Sequence, residues 1–169
     1  MAKLRPARCY RKIQRPYTRQ SQKKPRKGYV KGVPKPKIAQ YEMGTKGEYG
    51  RRIFLVPENT LQIRHNALES ARMSAIKHME KNCKEFFFKL RVYPFHVIRE
   101  NPLATGAGAD RFQQGMRQSF GKPLGMVAQV KEGQKIFEIR VNDSDVGIAK
   151  IALKRASQKL PLKYRILIE

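Results

Sequence analysis

The first 41 residues contain no Asp or Glu and place prolines at 6, 16, 25, 34 and 36. Proline fixes φ and lacks an N–H, so it interrupts helices and denies a sheet its donors. Positive charges without negative partners cannot be packed into a core. Residues 1–41 are therefore read as an extended basic arm, ordered only against a partner. The core falls to residues 42–169, enough chain for a single α+β domain.

The arm carries Lys3, Arg5, Arg8, Arg11, Lys12, Arg15, Arg19, Lys23, Lys24, Arg26, Lys27, Lys31, Lys35 and Lys37, interleaved with Tyr10, Tyr17, Tyr29 and Tyr41. Arginine forks grip phosphates bidentately, and tyrosine rings stack on bases or sugars. A merely solvated tail needs neither an exclusive sign of charge nor spaced tyrosines. The rest of the chain does not restore balance: 37 basic against 13 acidic side chains leave a formal net charge of +24. Such an excess repels itself unless a polyanion neutralises it. Nucleic acid is the first candidate and an anionic membrane surface the second. No run of about 18 apolar residues is present to span a bilayer. The N-terminus lacks the apolar stretch of a secretory signal, and its prolines and scarce serines speak against the amphipathic helix of a mitochondrial transit peptide. Cys9 and Cys83 form no C-x-x-C and no His/Cys cluster, so both are expected as reduced thiols, Cys83 buried.

Beyond the arm, GTKGEYG (44–50) is a turn-rich link and RRIFLVP (51–57) reads as a strand. In the run to Cys83, residues Leu68, Ala71, Ala75, Met79 and Cys83 share one helical face, with Ile76 beside them. Asn66 and Glu69 have the form of a capping box, and a start one or two residues earlier fits as well. Arg72, Lys77 and Lys81 lie off the apolar stripe and are expected on a solvated or RNA-facing side. EFFFKLRVY (85–93) reads as a strand, with FHVIRE (95–100) a second strand or a bent extension. LGMVAQV and KIFEIRV, joined by the turn KEGQ (131–134), suggest a hairpin. Asp143 or Ser144 can cap a helix over 145–159, whose face is Val146, Ala149, Leu153, Ala156 and Leu160, before Pro161 stops it. KYRILI (163–168) closes as a last strand. The expected class is α+β: a mixed, mainly antiparallel sheet with two helices packed on it.

Between 95–100 and the next strand runs NPLATGAGADRFQQGMRQSFGKPLG (101–125), with five glycines and one acid, Asp110. A glycine-dense loop of this length is functional or disordered. Gly106 and Gly108 do not open a dinucleotide fingerprint, because Arg111 stands where the third glycine belongs. GMRQSFGK (115–122) is not a phosphate loop: its spacing is one residue too long, Pro123 replaces the magnesium-holding hydroxyl, and a strand follows. His65, His78 and His96 lie in unrelated elements, and no nucleophile and base stand at a telling spacing. The chain reads as a non-enzyme without metal or cofactor. Glycines instead let backbone N–H groups approach phosphates, with Arg111, Met116 and Arg117 reaching past them. Asp110 is expected to stabilise the loop as the partner of a nearby arginine rather than to act as a base.

Several segments resemble one known family. They are Arg5-Pro6-Ala7-Arg8-Cys9-Tyr10-Arg11, Gly32-Val33-Pro34 with Lys37-Ile38, Ala67-Leu68-Glu69 with Ala71-Arg72, and Pro94-Phe95-His96-Val97-Ile98-Arg99. The loop adds Ala107-Gly108-Ala109-Asp110-Arg111, Gly115-Met116-Arg117 and Phe120-Gly121-Lys122-Pro123. Together they resemble the universal large-subunit ribosomal protein numbered sixteen in bacteria and ten-e in archaea and eukaryotes, with the archaeal form the most similar. Residues 18–31 depart from it in being longer and more basic.

The resemblance implies an α/β-hammerhead-type domain and a structural, cytoplasmic role in the large ribosomal subunit. Large-subunit ribosomal RNA would be bound near the central protuberance and the peptidyl transferase centre. Further partners would be neighbouring ribosomal proteins and A-site transfer RNA; no membrane and no homo-oligomer are expected. Ribosomal RNA would meet Arg5, Arg8, Tyr10, Arg11, Lys12, Arg15, Arg19, Lys23, Lys24, Arg26, Lys27 and Lys31. The transfer-RNA loop would present Thr105, Gly106, Gly108, Asp110, Arg111, Gly115, Met116, Arg117 and Lys122. The alternative is a free-standing RNA chaperone or generic nucleic-acid-binding module.

Overall fold

The structure, a computed structural model, describes residues 4–15, 17, 28–103, 106–113 and 115–169. In chain order its elements are β1 (Glu42–Gly44), β2 (Arg51–Pro57), β3 (Leu61–Arg64), α1 (His65–Asn82), β4 (Phe87–Leu90), β5 (His96–Glu100), β6 (Lys122–Val130), β7 (Phe137–Val141), α2 (Val146–Ser157) and β8 (Tyr164–Ile168). The α+β class with two helices is borne out. Every pairing between these strands is antiparallel. The strands divide into a five-stranded sheet, ordered β1-β4-β7-β2-β8, and a three-stranded sheet, ordered β3-β6-β5.

The apolar stripes of the helices drive the packing. Leu68, Ala71, Ala75, Ile76 and Met79 of α1 are buried, as are Ala149, Ala152, Leu153 and Ala156 of α2. Alanines on both stripes let the helices lie close together, and each also covers a sheet: α2 lies on β2, β7 and β8, and α1 on β3 and β6. On β2, Ile53 and Leu55 enter this core. Phe54 and Val56 point the other way and are still 2 % and 0 % exposed. Phe54 is roofed by the charged ends of Arg91 and Lys135, the Lys135 ammonium 3.8 Å from the ring centroid. β2 is thus apolar on both faces, and this explains its unbroken run Ile-Phe-Leu-Val.

Four expectations need correction. LGMVAQV and KIFEIRV are not a hairpin: β6 pairs with β3 and β5, whereas β7 pairs with β2 and β4. The turn at 131–134 forms, but the Ile136 N–H then donates to Leu55 C=O at 2.9 Å, which delivers the chain to the other sheet. Arg72 is not on a solvated side; it is 4 % exposed, because Glu69 takes it in two hydrogen bonds of 2.5 and 2.9 Å. That engagement also removes Glu69 from the capping box. Neither Asp143 nor Ser144 caps α2: residues 143–145 form a 3-10 turn without side-chain cap bonds, and Asp143 is drawn to Arg51 Nε at 2.7 Å.

Two segment boundaries also move. LQIR (61–64), directly ahead of α1, is a strand of its own. The glycine-rich loop ends at Gly121, because Lys122 to Gly125 belong to β6 and pair back onto β5 across a bulge between Ile98 and Arg99. Cys83 is buried and Cys9 exposed, both as free thiols. No helix among the described residues is long and apolar enough to cross a membrane.

Candidate nucleic-acid interface

The three-stranded sheet carries the arm. On β3, Leu61 and Ile63 are fully buried, so Gln62 and Arg64 must face the other way. Gln62 is opposite Gln129 in the pairing of β3 with β6. The Gln62 backbone N–H donates to Arg11 C=O at 2.8 Å. Its amide nitrogen donates to the carbonyls of Tyr10 (3.1 Å) and Lys12 (2.5 Å). Gln129 Nε2 donates to Gln14 C=O at 2.8 Å and to Gln62 Oε1 at 3.1 Å. The two glutamines therefore hold the arm through four backbone carbonyls. Arginine and lysine side chains are not used in this grip, so Arg8, Arg11, Lys12 and Arg15 all stay exposed.

Further contacts fix both ends of the docked segment. The Arg64 guanidinium lies 4.6 Å from the Tyr10 ring centroid. Arg5 forms an ion pair with Glu100 at the end of β5. Arg99 lies between Tyr17 of the arm (4.3 Å) and Phe120 of the loop (3.8 Å), and those two rings meet edge to face. Farther on, Ile38 is part of the core cluster. The Lys37 N–H donates to His65 Nδ1 at 3.2 Å. Burial, then the charges of Arg64 and Lys37, hold the His65 imidazole below its ordinary pKa, which keeps it neutral and able to accept that bond.

The loop projects from the same sheet, between β5 and β6. It contains a 3-10 turn, Ala109–Arg111, entered through Gly108 at φ 78°. An added Cβ at Gly108 or Gly115 would meet nothing, so conformation, not space, asks for glycine there. Gly121 differs: a Cβ would come within 2.6 Å of the Glu100 backbone, so this glycine lets the end of the loop pass β5. Arg111 and Arg117 are exposed, and so are three apolar side chains, Phe112 (88 %), Met116 (70 %) and Phe120 (68 %). Exposed aromatic rings beside exposed cations are suited to stacking and phosphate contact together.

The structure thus brings the two expected groups onto one sheet. Arg5, Arg8, Tyr10, Arg11, Lys12 and Arg15 lie in the docked part of the arm; Lys31, also exposed, lies beyond it. Gly106, Gly108, Arg111, Gly115, Met116, Arg117 and Lys122 lie in the loop or at its root. Arg19, Lys23, Lys24, Arg26, Lys27, Thr105 and the side chain of Asp110 lie outside the described residues.

One expectation changes in kind. The arm tyrosines are largely spent on the protein itself: Tyr10 on Arg64, Tyr17 on Arg99, and Tyr41 on Tyr93, stacked at 5.5 Å. Burial, then Tyr93 and Glu69, push the Tyr41 hydroxyl up to about 12. Sequence reasoning missed Gln62, Arg64, Arg99, Glu100, Phe120 and Gln129. Arg99 and Phe120 stand in segments that carry the resemblance, and Gln62, Arg64 and Gln129 fall on the alternate positions of short strands, where a polar side chain must face away from the core.

Comparison with known proteins follows the same lines. The family of ribosomal protein L16p/L10e matches residues 15–167. The "Large ribosomal subunit protein uL16" of Staphylothermus marinus is 49 % identical, over 98 % of this chain and 94 % of its own length. The protein of that name from Methanococcus aeolicus is 46 % identical over 98 % and 94 %. That from Archaeoglobus fulgidus is 41 % identical over 98 % and 92 %.

Proposed function

The chain belongs to the ribosomal protein L16p/L10e family, whose role is structural and not enzymatic, and from this premise we propose how its two basic features divide the work. The arm, docked on the three-stranded sheet, binds large-subunit ribosomal RNA near the central protuberance and the peptidyl transferase centre. The loop reaches toward the acceptor arm of A-site transfer RNA. Neighbouring ribosomal proteins complete its surroundings in the cytoplasmic ribosome.

The observation that carries this reading is the glutamine grip. Gln62 and Gln129 hold only backbone carbonyls of the arm, so four cations are presented outward on a fixed track. Phosphates spaced along an RNA strand match such a track, and each contact releases counterions. A-form RNA is met mostly through its backbone and 2′-hydroxyls, and its unpaired bases through stacking. The exposed Phe112 and Met116, beside Arg111 and Arg117, supply the second kind of contact at the loop.

The protein should co-sediment with large ribosomal subunits through a moderate-salt gradient. Recovery at the top of the gradient would leave the RNA-chaperone reading in its place. Replacing Arg111 and Arg117 by Ala should leave incorporation intact and weaken A-site transfer-RNA binding about tenfold, the loss of one or two charge-assisted contacts. Subunits carrying that double variant and translating at normal speed and fidelity would make the loop a passive insertion.

A further inference from the structure

A cavity of about 230 Å³ lies between the start of the arm and the root of the loop. Leu4, Pro102, Pro123 and Leu124 give it apolar walls, and Tyr10 and Arg64 line it together. Two polar atoms of that pair, Tyr10 Oη and Arg64 Nε, are buried without a hydrogen-bond partner among the described residues. Buried donors are nearly always paired, so two unpaired donors on neighbouring residues of one cavity need a reason. Burial also pushes the Tyr10 hydroxyl upward, which keeps it a neutral donor.

The charges around the cavity are unequal. Arg5, Arg64 and Lys122 stand against Glu100 alone, and Glu100 is already engaged by Arg5. Lys122 is exposed and has no carboxylate partner among the described residues. The fitting occupant therefore has an apolar body, acceptor atoms and a negative charge attached. An apolar side chain of a neighbouring protein would meet the first requirement and neither of the others.

We propose that this cavity takes one unpaired nucleobase of the RNA bound by arm and loop. The base lies against the leucines and prolines, and Tyr10 and Arg64, whose Oη and Nε are closed to solvent in the unbound protein, turn to donate to its ring nitrogen or carbonyl oxygen. Its flanking phosphate sits at Lys122. The volume admits a single heterocycle, in keeping with sequence readout of RNA at unpaired nucleotides. The assignment rests on the RNA-binding reading above.

The test uses large subunits of Staphylothermus marinus washed free of their own relative of this protein by salt and rebuilt with the full chain. Dimethyl sulfate and a carbodiimide then report which unpaired bases the protein protects. Wild type should protect one base that L124W, which fills the cavity, leaves reactive. L124W should rebind about tenfold more weakly or worse, because excluding the base forfeits both of its hydrogen bonds, so its protection is read at a concentration that saturates the subunits. Y10F removes only the hydroxyl and should rebind about three- to tenfold more weakly, as for one lost hydrogen bond. If the cavity holds no base, Y10F rebinds as tightly as wild type, because it only removes an unpaired buried group. Protection that survives in L124W, or unaltered rebinding of Y10F, overturns the assignment. Wild type that rebinds without protecting a base overturns the cavity alone; wild type that fails to rebind overturns the RNA-binding reading with it.

Discussion

Glu138 is a carboxylate 1 % exposed in a chain of net charge +24, and two arginines hold it. Arg91 Nη1 and Arg140 Nε each reach one of its oxygens at 2.6 Å. Burial alone would push this carboxyl up, but the bonds from Arg140 and Arg91 outweigh it and leave its pKa below the ordinary value. The same arginines lie over Phe54 and Phe87, so one acid organises the charged roof of the five-stranded sheet. Removing one partner of a buried ion pair costs about 3–5 kcal/mol. Here both arginines are partly exposed, at 44 % and 30 %, and water can take them up. Glu138→Ala should therefore cost about 2–3 kcal/mol, and Glu138→Gln, which keeps the shape, about 1–2 kcal/mol.

The pH dependence of the same residue has a definite sign. A carboxyl whose folded pKa lies below its unfolded one stabilises the protein above the unfolded value and loses that contribution as pH falls through the folded one. Glu69, bonded to Arg72, and Glu138 are both lowered from 4.5, and Glu42, between Lys89 and Lys46, is drawn down to about 2. Burial lowers His65 and His96 from 6.5, so they favour unfolding once they must protonate. Stability should decline below pH 6.5, steepen below pH 4.5, and go on falling through about pH 2. Urea midpoints of wild type and E138Q across this range isolate Glu138, because the histidine contributions cancel in the difference. That difference should close as pH falls below 4.5; a gap that stays constant to pH 2 would show that charge is not what Glu138 contributes.

At the scale of elements, the arm and the three-stranded sheet behave as a latch with two catches. Gln62→Ala with Gln129→Ala removes the side-chain donors to Tyr10, Lys12 and Gln14 and leaves only the Gln62 backbone bond to Arg11. Each lost bond is worth about 1 kcal/mol. The arm should then open often enough for trypsin to cut at Arg11, Lys12 and Arg15 at least about tenfold faster. The thermal midpoint of the core should barely move, since Gln62 and Gln129 face away from it. Equal cleavage rates would mean that the aromatic and ionic contacts of Tyr10, Tyr17 and Arg5 suffice to hold the arm.

Strand and helix existence was largely legible in the sequence, because Ile53 to Val56, the stripe of α1 and the stripe of α2 each carry a strong period. Strand partnership was not. KEGQ has the chemistry of a hairpin turn and makes a turn, but pairing is decided by which sheet offers free donors and acceptors, here Leu55 C=O to the Ile136 N–H. β3 was invisible because its four residues run directly into a helix of the opposite period. The candidate site divides the same way. Its cations were readable from composition, whereas the residues that aim them are neutral or already paired, and no sequence signal marks a glutamine whose partner is another segment's backbone.

For the whole molecule, the open question is whether +24 acts as a diffuse cloud or through a defined track. Arg8, Arg11, Lys12 and Arg15 are exposed in the docked arm, and Lys77, Lys81, Lys150 and Lys154 are exposed on the two helices. Replacing either set of four by Gln changes net charge equally, so a diffuse polyelectrolyte would respond to both alike. A track responds unequally. Each phosphate contact contributes roughly 0.7 to 0.9 to the log–log salt slope of RNA binding, so the arm set should flatten that slope by about 3. Equal charge lost from the helices should flatten it by less than about 1. Titrations of large-subunit RNA at several salt concentrations read both slopes directly. If the two sets flatten the slope equally, the ordered arm is no more than a carrier of charge, and the grip of Gln62 and Gln129 has some purpose other than RNA binding.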